Sequence, residues 1–205
     1  MLGLPSATEV KKVIPKKAFF HKFQLNTAEQ KEFDAVVRQL VIVNEVSLRT
    51  VPALQCKEGS KPVFILAVQL KQESCPEKIL QKLCRLINQR LLLVLQCEDK
   101  AQLALAFNNR ILKNEFRLLS EQQMQLQGTS LDEIFEHLAL QVANLQPLAG
   151  LTGAAVIAAA ARREDLEKQI AVLTKKMFAE KQAHQKLALR EQINLIKKEL
   201  EALQS

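Results

Sequence analysis

The 205-residue chain has no tryptophan and no tyrosine, and its nine phenylalanines are few for its length. Binding surfaces built on Trp or Tyr anchors are therefore excluded. Base stacking would fall to Phe or Arg alone. Cysteine is equally sparse. Cys56, Cys75, Cys84 and Cys97 include no CxxC pair, and no histidine sits at zinc-ligand spacing beside them. We expect no metal site, no cofactor, and buried free thiols suited to a reducing compartment. Gly59-Ser60-Lys61 lacks the spacing of a phosphate-binding P-loop and reads as a turn. His21, His137 and His184 have no Ser or Cys nucleophile at a recognisable distance. Met1 to Pro5 lacks the basic-then-apolar order of a signal peptide. The longest weakly polar run, Leu148 to Ala161, falls short of the roughly twenty residues that a membrane span needs. We expect a cytoplasmic protein that does not cross a membrane.

What is present is apolar and basic. Apolar residues make up 48% of the chain, enough for a real core and too many for a disordered protein. The formal net charge of +7 favours acidic partners. Residues 1–26 form a basic lead-in with Lys11, Lys12, Lys16, Lys17 and Lys22, docked by Phe19, Phe20 and Phe23. Lys11, Lys12, Lys16 and Lys17 are candidate phosphate contacts; the bland reading is a solvated charged face.

Residues 27–147 read as an α+β domain, a mixed or antiparallel sheet flanked by helices. Asn26 or Thr27 caps a helix that the apolar spacing carries to about Asn44. Ser47 to Cys56 is expected to be extended, with Lys57 to Pro62 as the turn of a hairpin into the β-rich run Val63–Leu70. Pro76 opens a helix to about Gln89. Leu91–Cys97 reads as a buried strand, and further strands are expected near Leu103–Phe107 and Phe116–Leu119. Ser130 and Glu133 have the spacing of a capping box. Pro147, Gly150 and Gly153 make a hinge.

Residues 154–205 contain no Gly and no Pro and are rich in Ala, Leu, Lys, Glu, Gln and Arg. Such residues lose little freedom in a helix. Leu166, Ile170, Leu173 and Met177 form one apolar register, and Leu189, Ile193, Ile196, Leu200 and Leu203 form a second, offset one. The pattern predicts one long amphipathic, coiled-coil-like helix whose ridge needs a partner or a second copy to cover it. The polar stretch between the registers, Ala179 to Lys186, either is solvated or is a patch that specifies register or contacts that partner.

Two motifs resemble a known family. Leu4 to Phe20, LPSATEVKKVIPKKAFF, is similar to the LPxSTEVxKxIPKxxF opening of the bacterial domain-of-unknown-function family 4391. Glu180 to Leu189, EKQAHQKLAL, resembles its EKQFNRKxxL signature, matching at Glu180, Lys181, Gln182 and Lys186 and departing at Ala183, His184 and Gln185. The family carries no established activity. Its resemblance implies gene neighbourhoods with helicases and DNA methyltransferases of restriction-like defence systems.

The resulting expectation is a non-catalytic accessory subunit of such a DNA-processing system. It would bind a protein partner, such as a helicase or methyltransferase, or self-associate, through Leu166, Ile170, Leu173, Met177, Glu180, Lys181, Gln182, Lys186, Leu189, Ile193, Ile196 and Leu200. The alternative is a nuclease-like DNA-binding domain, active or degenerate. A helix, hairpin and helix resemble the PD-(D/E)xK core, in which carboxylates hold Mg²⁺. Here Glu45, Gln69 and Lys71 would take those places, although Gln is a poor Mg²⁺ ligand.

Overall fold

A computed structural model describes residues 2–55 and 59–202. Cys56, Lys57 and Leu203, named above, lie outside the described residues. The chain divides into two compact units, Met1–Gly153 and Ala154–Ser205.

Among the described residues the first unit has seven strands: β1 (Glu9–Ile14), β2 (Val37–Val46), β3 (Val63–Leu70), β4 (Arg90–Cys97), β5 (Lys100–Phe107), β6 (Arg110–Lys113) and β7 (Arg117–Leu118). Their order is β1-β2-β3-β4-β5-β6, with β7 also paired to β5. Among these strands β3 and β4 run parallel to each other, and the remaining strand pairs are antiparallel. The sheet is therefore mixed, and the α+β class read from the sequence holds.

Local chemistry explains the helices. α2 (Thr27–Val36) starts at a complete capping box: Asn26 Oδ1 accepts from Glu29 N at 2.9 Å, and Asn26 N donates to Glu29 Oε2 at 3.0 Å. α3 (Glu77–Cys84) follows Pro76. α4 (Leu131–Val142) is capped by Ser130, whose Oγ accepts from Glu133 N. The Glu133 carboxylate turns instead to the N–H and hydroxyl of Thr129, so only half of the expected capping box forms.

The basic lead-in is part of the sheet. It supplies β1, an edge strand, and α1 (Lys16–Lys22). Phe19 is fully buried and stacks on Phe33 of α2 at 4.3 Å between ring centroids. One sheet face, carrying Leu40, Leu66, Val68, Leu93 and Leu95, packs with Phe19, Phe33, Leu80 and Leu83 of α1–α3 in a single core. On the other face α4 packs near β5, where Phe107 and Phe135 lie 5.8 Å apart.

Three local expectations are corrected. The first helix stops at Val36, and Leu40 and Val41 belong to β2; the β-branched run Val41-Ile42-Val43 prefers a pleated surface. The segment 47–55 is a series of turns, so β3 pairs with β2 and not with an extended 47–56 strand. The helix after Pro76 ends at Cys84 rather than Gln89.

The second unit is helical. Its single expected rod is two helices, α5 (Gly153–Ala179) and α6 (Ala183–Ala202). No helix among the described residues is long and apolar enough to cross a membrane.

Candidate functional site

The break between α5 and α6 accounts for the offset between the two apolar registers. Leu166, Ile170, Leu173 and Met177 step by four, three and four; Leu189, Ile193, Ile196 and Leu200 repeat those steps. All eight are buried or half-buried, while most residues between them are exposed. At the open end, Arg162 Nε and Nη2 both donate to Glu199 Oε1 across 37 residues. Such a contact requires the chain to double back. The two registers are thus the two halves of one seam in an antiparallel hairpin.

The reversal uses neither Gly nor Pro. Glu180 N donates to Lys176 O and closes α5, while Lys186 N donates to Gln182 O and opens α6. Between them the Glu180 carboxylate accepts from Lys181 N at 2.7 Å and from Gln182 N at 2.9 Å. It satisfies two amides the chain reversal would leave open and places negative charge at the start of α6. Glu180, Lys181 and Gln182 therefore form the turn itself.

The tip has a distinct surface. Between residues 175 and 190 stand Lys175, Lys176, Lys181, Lys186 and Arg190, against Glu180 as the one acid. Phe178 is 73% exposed and Leu187 58% exposed, both off the seam. Ala179 and Ala188 leave a notch of about 480 Å³, lined also by Lys176, Glu180, Gln185 and Leu189. Further along the hairpin Val172 and Leu195 are exposed as well. The tip joins apolar and cationic surface, which suits an acidic, amphipathic surface on a partner.

Of the twelve partner-binding residues read from the sequence, the eight seam residues face inward in the hairpin. Glu180, Lys181, Gln182 and Lys186 lie at the tip. Phe178 and Leu187 were missed. The available signal was a large apolar residue off the seam and among lysines.

The other candidates do not converge. Glu45 pairs with Phe64 in the β2–β3 register and Gln69 pairs with Gln39, so the two lie five residues apart along β3 and on opposite faces. Glu45 accepts from Ser47 Oγ and Arg49, while Lys71 Nζ donates to Asp34 O. The three do not assemble a metal-binding set. Lys16 is paired with Asp34 at 2.7 Å, whereas Lys11, Lys12 and Lys17 are exposed. Among the described residues no cluster of three His, Cys, Asp or Glu could hold a metal ion. Burial pushes the Cys75 thiol up to about 11 and the Cys84 thiol up to about 12, so both stay protonated and are poor nucleophiles at neutral pH.

No curated protein and no solved structure gives a significant match. One family matches nearly the whole chain, over residues 2–200. That span takes in both motifs, the opening that forms β1 and α1 and the signature that forms the hairpin turn. The chain belongs to the family described as Domain of unknown function (DUF4391).

Proposed function

We propose that this protein is a non-catalytic docking subunit of a DNA-processing or defence system, and that the hairpin tip is its contact surface. The observation that carries the reading is the exposure of Phe178 and Leu187 among five cations on a hairpin whose own seam is already closed. Apolar groups left outside a satisfied seam, ringed by one sign of charge, fit a protein partner with an acidic rim around an apolar pocket. The choice of a helicase or methyltransferase as that partner rests on the gene neighbourhoods associated with the family.

The test is direct binding of the purified chain to a helicase and a methyltransferase of the kind the family's gene neighbourhoods imply, by light scattering after size exclusion and by titration. Binding should weaken at least about tenfold in Phe178→Ser/Leu187→Ser, since two apolar anchors of this size each contribute about 1 kcal/mol or more when buried. Affinity should also fall as salt is raised. Unchanged affinity in that double variant, with helicity intact, would remove the tip as the docking surface.

A further inference from the structure

The end of the first unit where β3 and β4 begin carries a second feature, independent of the docking reading. The two strands are parallel, with Val63 beside Arg90. The turn before β3 and the connection before β4 therefore emerge side by side. The turn supplies Lys61, and the connection from α3 supplies Arg85, Asn88 and Gln89. α1 ends beside them at Lys22. A basin of about 660 Å³ lies between these segments, with buried Cys84 and half-buried Ile87 in its lining.

The charge in this basin is of one sign. Lys22, Lys61, Arg85 and Arg90 line it, and no Asp or Glu does so among the described residues. Lys57 and Glu58, outside the described residues, carry opposite formal charges. Asp132 of α4 anchors the wall. Its Oδ2 accepts from Ser60 Oγ at 2.9 Å, and its Oδ1 pairs with Arg90 Nη2. Arg90 Nη1 also donates to Leu131 O at 3.1 Å, and the guanidinium lies 5.2 Å from the centre of the Phe135 ring. These contacts tie the turn before β3 and the start of β4 to α4, and they neutralise Arg90.

The other three cations are not neutralised. Lys22, Lys61 and Arg85 are exposed and make no ion pair among the described residues. Lys22 Nζ lies 5.9 Å from the Phe23 ring centre, a contact that leaves its charge in place. Lys16, Lys82, Lys100 and Lys113 of the same unit, by contrast, each meet a carboxylate. Three like charges around one concavity repel each other and raise the local concentration of anions. Asn88 and Gln89, both exposed, add amide donors of the kind that meet phosphate oxygens. No aromatic residue lines the basin, so it offers unpaired bases nothing to stack on.

We propose that this basin binds the phosphate backbone of double-stranded nucleic acid without reading its sequence. Lys22, Lys61 and Arg85 neutralise phosphates, and Asn88 and Gln89 donate to phosphate oxygens. A duplex fits better than a single strand, because it carries phosphate charge at higher density and keeps its bases stacked inside. The subunit would then hold nucleic acid on its first unit, apart from the hairpin tip.

The probe is a fluorescently labelled duplex titrated with the full chain and read by anisotropy between about 50 and 200 mM salt. No partner protein is present, so the outcome is separate from that of the docking test. Three neutralised phosphates predict a slope of log K against log salt of about −2.7, with a Kd of about 10⁻⁴–10⁻⁶ M. Lys22→Gln/Lys61→Gln/Arg85→Gln should weaken binding at least about tenfold and flatten the slope by about one for each residue removed. Lys61→Gln alone, at an exposed site, serves if the triple variant does not fold, and should flatten the slope by about one. Lys11→Gln/Lys12→Gln/Lys17→Gln removes the same formal charge elsewhere and should cost less than the basin variant. Two duplexes of unrelated sequence should bind alike, and a single strand of dT of the same length more weakly. No binding at the lower salt, equal losses in the two triple variants, or a strong preference for one sequence would overturn the proposal. So would tripolyphosphate binding as tightly as the duplex, which would make the ligand a free polyphosphate.

Discussion

In β3 and β4 nearly every side chain is buried, on both faces of the sheet; in α5 and α6 burial returns only every third or fourth residue, and four large apolar side chains remain outside. The difference follows from geometry. A central strand covered above and below can bury a continuous apolar run. Two helices alone can close only a seam one ridge wide. The first unit leaves Val13, Leu118, Leu148 and Leu151 exposed along Met1–Gly153, whereas the hairpin exposes Phe178, Leu187, Val172 and Leu195 within the much shorter Ala154–Ser205, beyond what its seam can shelter. Apolar surplus relative to the local capacity for burial is the informative quantity, and it is denser in the smaller unit.

The contrast can be broken first where burial is deepest. Leu93→Ala, at a fully buried site in β4, should cost about 2–5 kcal/mol in a urea titration. Leu166→Ala, on a seam with solvent to either side, should cost about 2 kcal/mol or less, at the lower end of the same range. It should loosen far-UV helicity before Cys84 becomes reactive to a thiol reagent. Equal costs at the two sites would mean that the hairpin is as deeply cored as the sheet. A smaller effect is expected at the turn. Glu180→Ala removes the acceptor of two turn amides and should cost about 1 kcal/mol of hairpin stability, read as a lower helical melting midpoint.

The smallest effect belongs to Glu29 on α2. The hydrogen bond from Lys82, together with that from the Asn26 N–H, holds its carboxyl below its ordinary 4.5. Its contribution is thus present above that value and is lost as pH falls through the lower, folded-state value. Glu29 is exposed, so the loss should be slight. Glu29→Gln should flatten the acid limb of the stability profile by that small amount and leave neutral-pH behaviour close to unchanged.

How much of this was legible in the chain varied with the element. β3 could be read to the residue, because VFILAVQL is continuously apolar, β-rich and bounded by Pro62 and polar residues. The junction of α2 and β2 was not. Phe33, Val36, Val37, Leu40 and Val41 satisfy helical spacing as well as strand alternation, and no Gly or Pro marks Val37. β6 was missed because RILK carries only two apolar residues after Asn108-Asn109, which take the left-handed backbone of a tight turn. The hairpin was half visible. Its two registers could be seen, but a turn made by a glutamate side chain lacks the usual punctuation. The carboxamides of the sheet were illegible for another reason. Gln39, Gln69 and Gln96 are scattered and unremarkable in sequence, and only strand register brings them into one row.

The closed seam is the claim on which the docking surface rests, and one distance tests it. Spin labels carried by unnatural amino acids at positions 163 and 198, both exposed, can be measured by pulsed electron paramagnetic resonance in the full chain. Helices folded back on each other place the labels roughly 15–25 Å apart, allowing about 8–10 Å between axes plus the label arms. A continuous helix of the same residues would place them about 50 Å apart at 1.5 Å per residue. A single population near the shorter distance is expected; a population near the longer one would contradict the hairpin and return the seam to the list of surfaces in need of a partner.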